Sequence, residues 1–157
     1  MKPSSGQLVA TFTFNVYPVS PGLFTVNASG SGLLAALTQD NTVNSPTNRI
    51  AKGQVITLFG TGAGFISGAP PDGQATSGPV STDIKPRIAI GPDFVADADI
   101  TYSGLAPGFP GLWQINFKIP DFVVPGEQVP VGVIMQSVQS TVGQGGQRLS
   151  TYISVKQ

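Results

Sequence analysis

Along most of this 157-residue chain, apolar and polar positions alternate over short runs. That is the period of a half-buried strand, not of a helix. In residues 8–16, Leu8, Ala10, Phe12, Phe14 and Val16 share one face and Thr11, Thr13 and Asn15 the other. Pro18 and Pro21-Gly22 end that run, and residues 23–26 form a short extended segment before Gly30-Ser31-Gly32. Residues 33–38 and 39–44 read as a hairpin turning at Asp40-Asn41, two residues that tolerate left-handed backbone. The Leu33-Leu34-Ala35-Ala36-Leu37 run has helix-forming composition, but it is too short between its glycines and its turn to hold a helix.

Residues 54–60 carry apolar side chains on both faces, as expected of a strand buried between two layers. A long loop at 60–79 follows, holding six glycines and three prolines; loops of this length in compact domains are usually functional or mobile. Residues 86–91 predict a strand. So do residues 96–102, with Ala98, Ile100 and Tyr102 on one face and Asp97, Asp99 and Thr101 on the other. After a loop at 104–111 comes the clearest alternation, Trp113, Ile115, Phe117 and Ile119 against Gln114, Asn116 and Lys118. Residues 129–136 and 149–155 complete the set, with a turn at Gly143-Gln144-Gly145-Gly146. Strands punctuated this regularly predict an all-β sandwich with antiparallel sheets and long Gly/Pro-rich loops.

Composition narrows the functional classes. Charged residues are only 10% of the chain, with 8 basic, 8 acidic and no net charge, against about 25% in an average domain. Nucleic-acid and anionic membrane surfaces require clustered Lys and Arg, so neither is an expected partner. No apolar stretch reaches the roughly 20 residues of a membrane span, so membrane insertion is not expected. Residues 1–7 lack the apolar centre of a secretory signal. Two readings follow, a cytosolic chain or a mature or excised piece with an added Met. The chain contains no His and no Cys. That removes imidazole-based nucleophile systems, zinc and iron–sulfur sites, thiol redox chemistry and disulfides.

Several blocks of the sequence resemble a known family. Ser20-Pro21-Gly22-Leu23-Phe24-Thr25, then Ala35 through the Asn44-Ser45-Pro46-Thr47-Asn48 stretch, and then Lys52 through Gly60-Thr61-Gly62 are similar, in order, to blocks of an uncharacterised C-terminal domain first catalogued in Solibacter-type Acidobacteria. So are Tyr102-Ser103-Gly104-Leu105-Ala106-Pro107-Gly108-Phe109, Gly111-Leu112-Trp113-Gln114-Ile115-Asn116 and Ile119-Pro120. The resemblance runs from about Pro18 to the end. It implies an Ig-like sandwich belonging to a secreted or cell-surface bacterial protein, with no assigned activity and no catalytic residues to transfer. The expected organisation is an N-terminal strand at 1–17, either a linker or an exchanged strand, followed by an Ig-like domain at 18–157.

Candidate sites are few. Asp93, Asp97 and Asp99 are candidate oxygen ligands for Ca²⁺, although the D-x-[DN]-x-[DN]-G pattern is absent and a solvated strand edge explains them as well. No other cofactor is expected. Phe109, Tyr102 and Trp113 are candidate contacts for a partner or a sugar; Trp113 falls on the apolar face of its strand, which favours the core. A hydrolase using Asp and Glu alone would need an acid pair in a cleft. A Lys–Asn cross-link is disfavoured because Lys118 and Asn116 are neighbours on one strand face. The expectation is therefore a non-catalytic module with a structural, adhesive or assembly role, contacting partners through the loops at 60–79 and 104–111. Partners would be proteins, a polysaccharide, or further copies joined through sheet edges, with strand exchange by residues 8–16 as one route.

Overall fold

The computed structural model describes residues 13, 17–140 and 150–157. Apart from Thr13, the alternating run at 8–16 lies outside the described residues, as does the turn expected at 143–146. The fold is an all-β sandwich of two facing sheets. In the first, β5 (Val55–Thr61) lies beside β10 (Trp113–Lys118), which pairs in turn with β9 (Ile100–Leu105) and then β6 (Val80–Ser81). The far side of β5 takes two short pieces, β1 (Gly22–Leu23) and β3 (Ala36–Leu37). In the second sheet, β11 (Gly126–Met135) lies between β13 (Thr151–Lys156) and β7 (Arg87–Ile90), and β7 pairs with β8 (Asp93–Phe94). β12 (Val138–Gln139) folds back on β11, while β2 (Gly32–Leu33) and β4 (Ile50–Ala51) flank β13.

The core follows from the alternation. Trp113, Ile115 and Phe117 of β10 and Ile56 and Leu58 of β5 point inward. There they join one cluster with Ile88, Ile90, Val131, Val133, Met135, Ile153 and Val155 of the other sheet. Full burial of each such side chain stabilises the fold by about 1.5–3 kcal/mol relative to exposure. β5 differs from expectation in one respect. Ile56, Leu58 and Gly60 are buried, and Val55, Thr57 and Phe59 on its other face are half-buried, because the sandwich has two layers and nothing packs fully over that face.

The sheets are also not purely antiparallel. β2 and β4 both join β13 in parallel. The cause is the path of residues 22–61, which pass back and forth between the layers. They contribute β1 to the first sheet, β2 to the second, β3 to the first and β4 to the second before entering β5. The expected hairpin lies within this path: Asn41 takes φ 57°, the amide of Thr38 donates to Thr42 O at 2.8 Å, and Asn44 N donates to Ala36 O at 2.9 Å. The outermost strand at each sheet border among the described residues is two residues long, with the longer strands inside.

Asn44 holds this lacing to the C-terminal strand. Its side chain is wholly buried; Nδ2 donates to Ser154 O at 2.8 Å and Oδ1 accepts from Ser154 N at 2.8 Å. The amide therefore mimics a β-ladder partner for a residue 110 positions away. Asn44→Ala would leave both backbone groups unpaired. It is expected to lower unfolding stability by about 3 kcal/mol, read as a lower urea midpoint at unchanged slope.

Candidate functional site

The C-terminal end of β5, the start of β10 and the end of β9 lie together, since Trp113 pairs with both Gly60 and Leu105. The two loops singled out from sequence therefore leave the sandwich at the same end. They also touch: Gly108 N donates to Thr76 O at 2.9 Å. The 106–112 loop closes on itself through Ala106 N to Leu112 O at 2.8 Å. The 62–79 loop is pinned at several points. Ala63 and Ile66 are buried, Ser67 donates from N and Oγ to Asp83 Oδ2 at 3.0 and 3.1 Å, and Thr76 is buried.

The loop begins over an unusually close crossing. Ser20 N donates to Gly62 O at 2.9 Å, and Gly62 takes φ 77°. A Cβ there would sit 1.8 Å from Ser20 O, and one on Gly64 would sit 2.6 Å from Pro18 O. Only glycine lets the two backbones lie this near. With Ala63 and Ile66 turned inward, Phe65 is thrown outward and is 84% exposed. Beside it opens a cleft of about 620 Å³. Its lining includes Ala63, Ile66, Leu105 and Trp113, which are buried, and Phe65, Asp72 and Gln74, which are exposed.

The predicted aromatic residues divide. Phe109 is 60% exposed on its loop. Trp113 is 1% exposed and belongs to the core; its Nε1 donates to Ser103 Oγ at 3.0 Å, and that hydroxyl is 2.9 Å from Thr82 Oγ1. As a sugar-stacking surface Trp113 is therefore excluded, although its edge contributes to the cleft. Tyr102 is half-buried and faces outward, not inward with Ile100 as the alternation predicts. The β9–β10 register shifts between Asn116 and Phe117, so Thr101 is inserted and the side chains beyond it change faces. The Tyr102 ring crosses Gly104, where a Cβ would lie 2.5 Å from the hydroxyl, and that hydroxyl donates to Leu105 O at 2.7 Å. Its hydroxyl is thus taken up within its own sheet.

The acidic candidates are not assembled. Asp97–Asp99 is a 3₁₀ turn, not part of a strand, and β9 begins only at Ile100. The Ala-Asp-Ala-Asp stretch lacks the β-branched residues that favour pleated backbone, and Asp99 N donates to Ala96 O at 2.9 Å. Asp93 sits on β8, where its Oδ1 accepts from Phe94 N at 2.8 Å. Among the described residues no group of three His, Cys, Asp or Glu is placed to hold a metal ion. Asp99 and Asp121 border a groove of about 200 Å³ together with Lys118. That is below the roughly 300–1,000 Å³ of ligand sites. A hollow of about 330 Å³ over β7 and β11 has no aromatic or charged lining among the described residues. The 200 Å³ groove also carries exposed rings, Phe94 and Phe122, but the 620 Å³ cleft combines an exposed ring and polar side chains with a volume inside the ligand-site range.

Sequence reasoning located the loops through their glycines and prolines but did not single out Phe65. The available signal was its place between Gly64 and Ile66, an aromatic residue that alternation does not assign to a strand. No family model, curated protein or solved structure matches the chain. No helix among the described residues is long and apolar enough to cross a membrane.

Partial burial raises the Tyr102 pKa above the ordinary 10.0. The unfolded chain then releases this proton first. The contribution is present in full below the unfolded value and is lost as pH rises through the folded one. Stability followed from about pH 9 to pH 12 is expected to fall more steeply in the wild type than in Tyr102→Phe. Equal slopes would contradict the burial of this hydroxyl.

Proposed function

We propose that this chain is a non-catalytic display module of a secreted or cell-surface protein, Ig-like as the sequence resemblance implies, with an adhesive or structural role. Its contacts are made by the loop end of the sandwich. The observation that carries this reading is the pair of outward aromatic rings there, Phe65 at 84% and Phe109 at 60% exposure, on loops tied to each other and to the sheet ends. Aromatic side chains presented this way are suited to anchor an association. The missing imidazole and thiol groups support a role without covalent chemistry. Association through sheet edges is less favoured, because two-residue border strands offer few unpaired backbone groups to a partner.

A fluorescently labelled chain is expected to be retained on the envelope fraction of its own source cells. The double substitution Phe65→Ala/Phe109→Ala should weaken that retention by about a hundredfold, as loss of two anchors each worth about 1–2 kcal/mol would do. The urea midpoint should not move, because both rings are exposed. Undiminished retention of the double variant would overturn the reading.

A further inference from the structure

We infer that the cleft between the 62–79 loop and the start of β10 binds a neutral polysaccharide chain, a conclusion that rests on the loop end being the contact surface. The volume of about 620 Å³ lies inside the usual range for small-ligand sites, roughly 300–1,000 Å³. A sugar ring has an apolar C–H face and a rim of hydroxyls that both donate and accept. The cleft supplies a counterpart to each. Phe65 gives an open aromatic face, and Leu105 and Trp113 add apolar lining. The backbone of Ala63, Gly64, Phe65 and Ile66 forms part of the same wall. Asp72 and Gln74 line the same cleft with exposed side chains that accept from hydroxyl hydrogens.

Charge selects among hydroxyl-rich ligands. Among the described residues Asp72 is the sole ionisable side chain lining the cleft, so a uronate, a phosphate backbone or an acidic peptide meets repulsion there. An extended neutral peptide is a poorer match for a different reason. Peptide recognition by strand addition needs a run of ladder groups, and this cleft is walled by loop backbone beyond the end of β5.

The test is affinity electrophoresis of the whole chain through gels containing soluble β-glucan, xylan or alginate, beside titration with a proline-rich peptide. Retardation is expected in the β-glucan or the xylan gel and not in the alginate gel. Phe65→Ala should weaken it by about tenfold, with Phe65→Trp restoring it. The high exposure of Phe65 keeps both variants folded, which an unchanged urea midpoint verifies. Free mobility in both neutral gels, equal retardation by alginate, indifference to Phe65→Ala, or binding of the peptide in place of the glycans would each overturn the inference. If the neutral gels leave the chain unretarded while envelope retention still depends on Phe65 and Phe109, the polysaccharide alone is wrong. If envelope retention also proves indifferent to Phe65→Ala/Phe109→Ala, the contact reading falls with it.

Discussion

The buried amide of Asn44 joins two parts of the chain that have no sequence proximity. On one side is the path that shuttles between the layers from β1 to β5; on the other is β13, the last strand. β13 receives β2 and β4 in parallel and β11 antiparallel, so the second sheet is incomplete until the C-terminal strand meets residues more than a hundred positions earlier. A side-chain amide can serve as both donor and acceptor at one point, which a hydroxyl or carboxylate of similar reach cannot do in the same geometry. Ser31 makes a similar but exposed link, with Oγ donating to Ser150 O at 3.1 Å. The buried pair is the costlier to lose, because water cannot replace either bond. The loop end rests on this closure, since β5 carries the 62–79 loop and its position is fixed by the lacing beside it.

Much of the fold was legible where periodicity was local. The β10 alternation and the hairpin through Asp40-Asn41 both depend on side chains a few positions apart. What periodicity does not carry is partner and direction. The parallel placement of β2 and β4 on β13 follows from a path between layers, which no run of residues announces. Thr101 illustrates a second limit. Its insertion opposite β10 reverses the faces of Tyr102 and Ser103, and the alternating pattern around it contains no mark of the shift. At Asp97–Asp99 the expectation failed through composition: alternating Ala and Asp imitates period two while lacking the bulky side chains that hold a pleat.

The candidate site was legible as loops and not as residues. Glycine and proline density located both segments, and hydrogen bonding between Gly108 and Thr76 brings them together. Choosing the exposed ring required knowing that Ala63 and Ile66 anchor the loop and leave Phe65 outside. Trp113 shows the converse. Its size drew attention as a contact residue, yet its indole N–H is satisfied by Ser103 within the sandwich, the usual condition for a buried tryptophan.

The two-residue strands at every described border bear on how such a module tolerates crowding. With charges on only 10% of residues and none in net excess, Coulomb repulsion does little to hold neighbouring copies apart. Protection comes from geometry: a border that offers two residues of backbone is too short to template growth of a neighbour's sheet. A steric safeguard of that kind does not weaken with ionic strength, as an electrostatic one would within a Debye length of about 8 Å at physiological salt. Dense arrays of these modules would keep their individual sheets in brine as well as in dilute buffer.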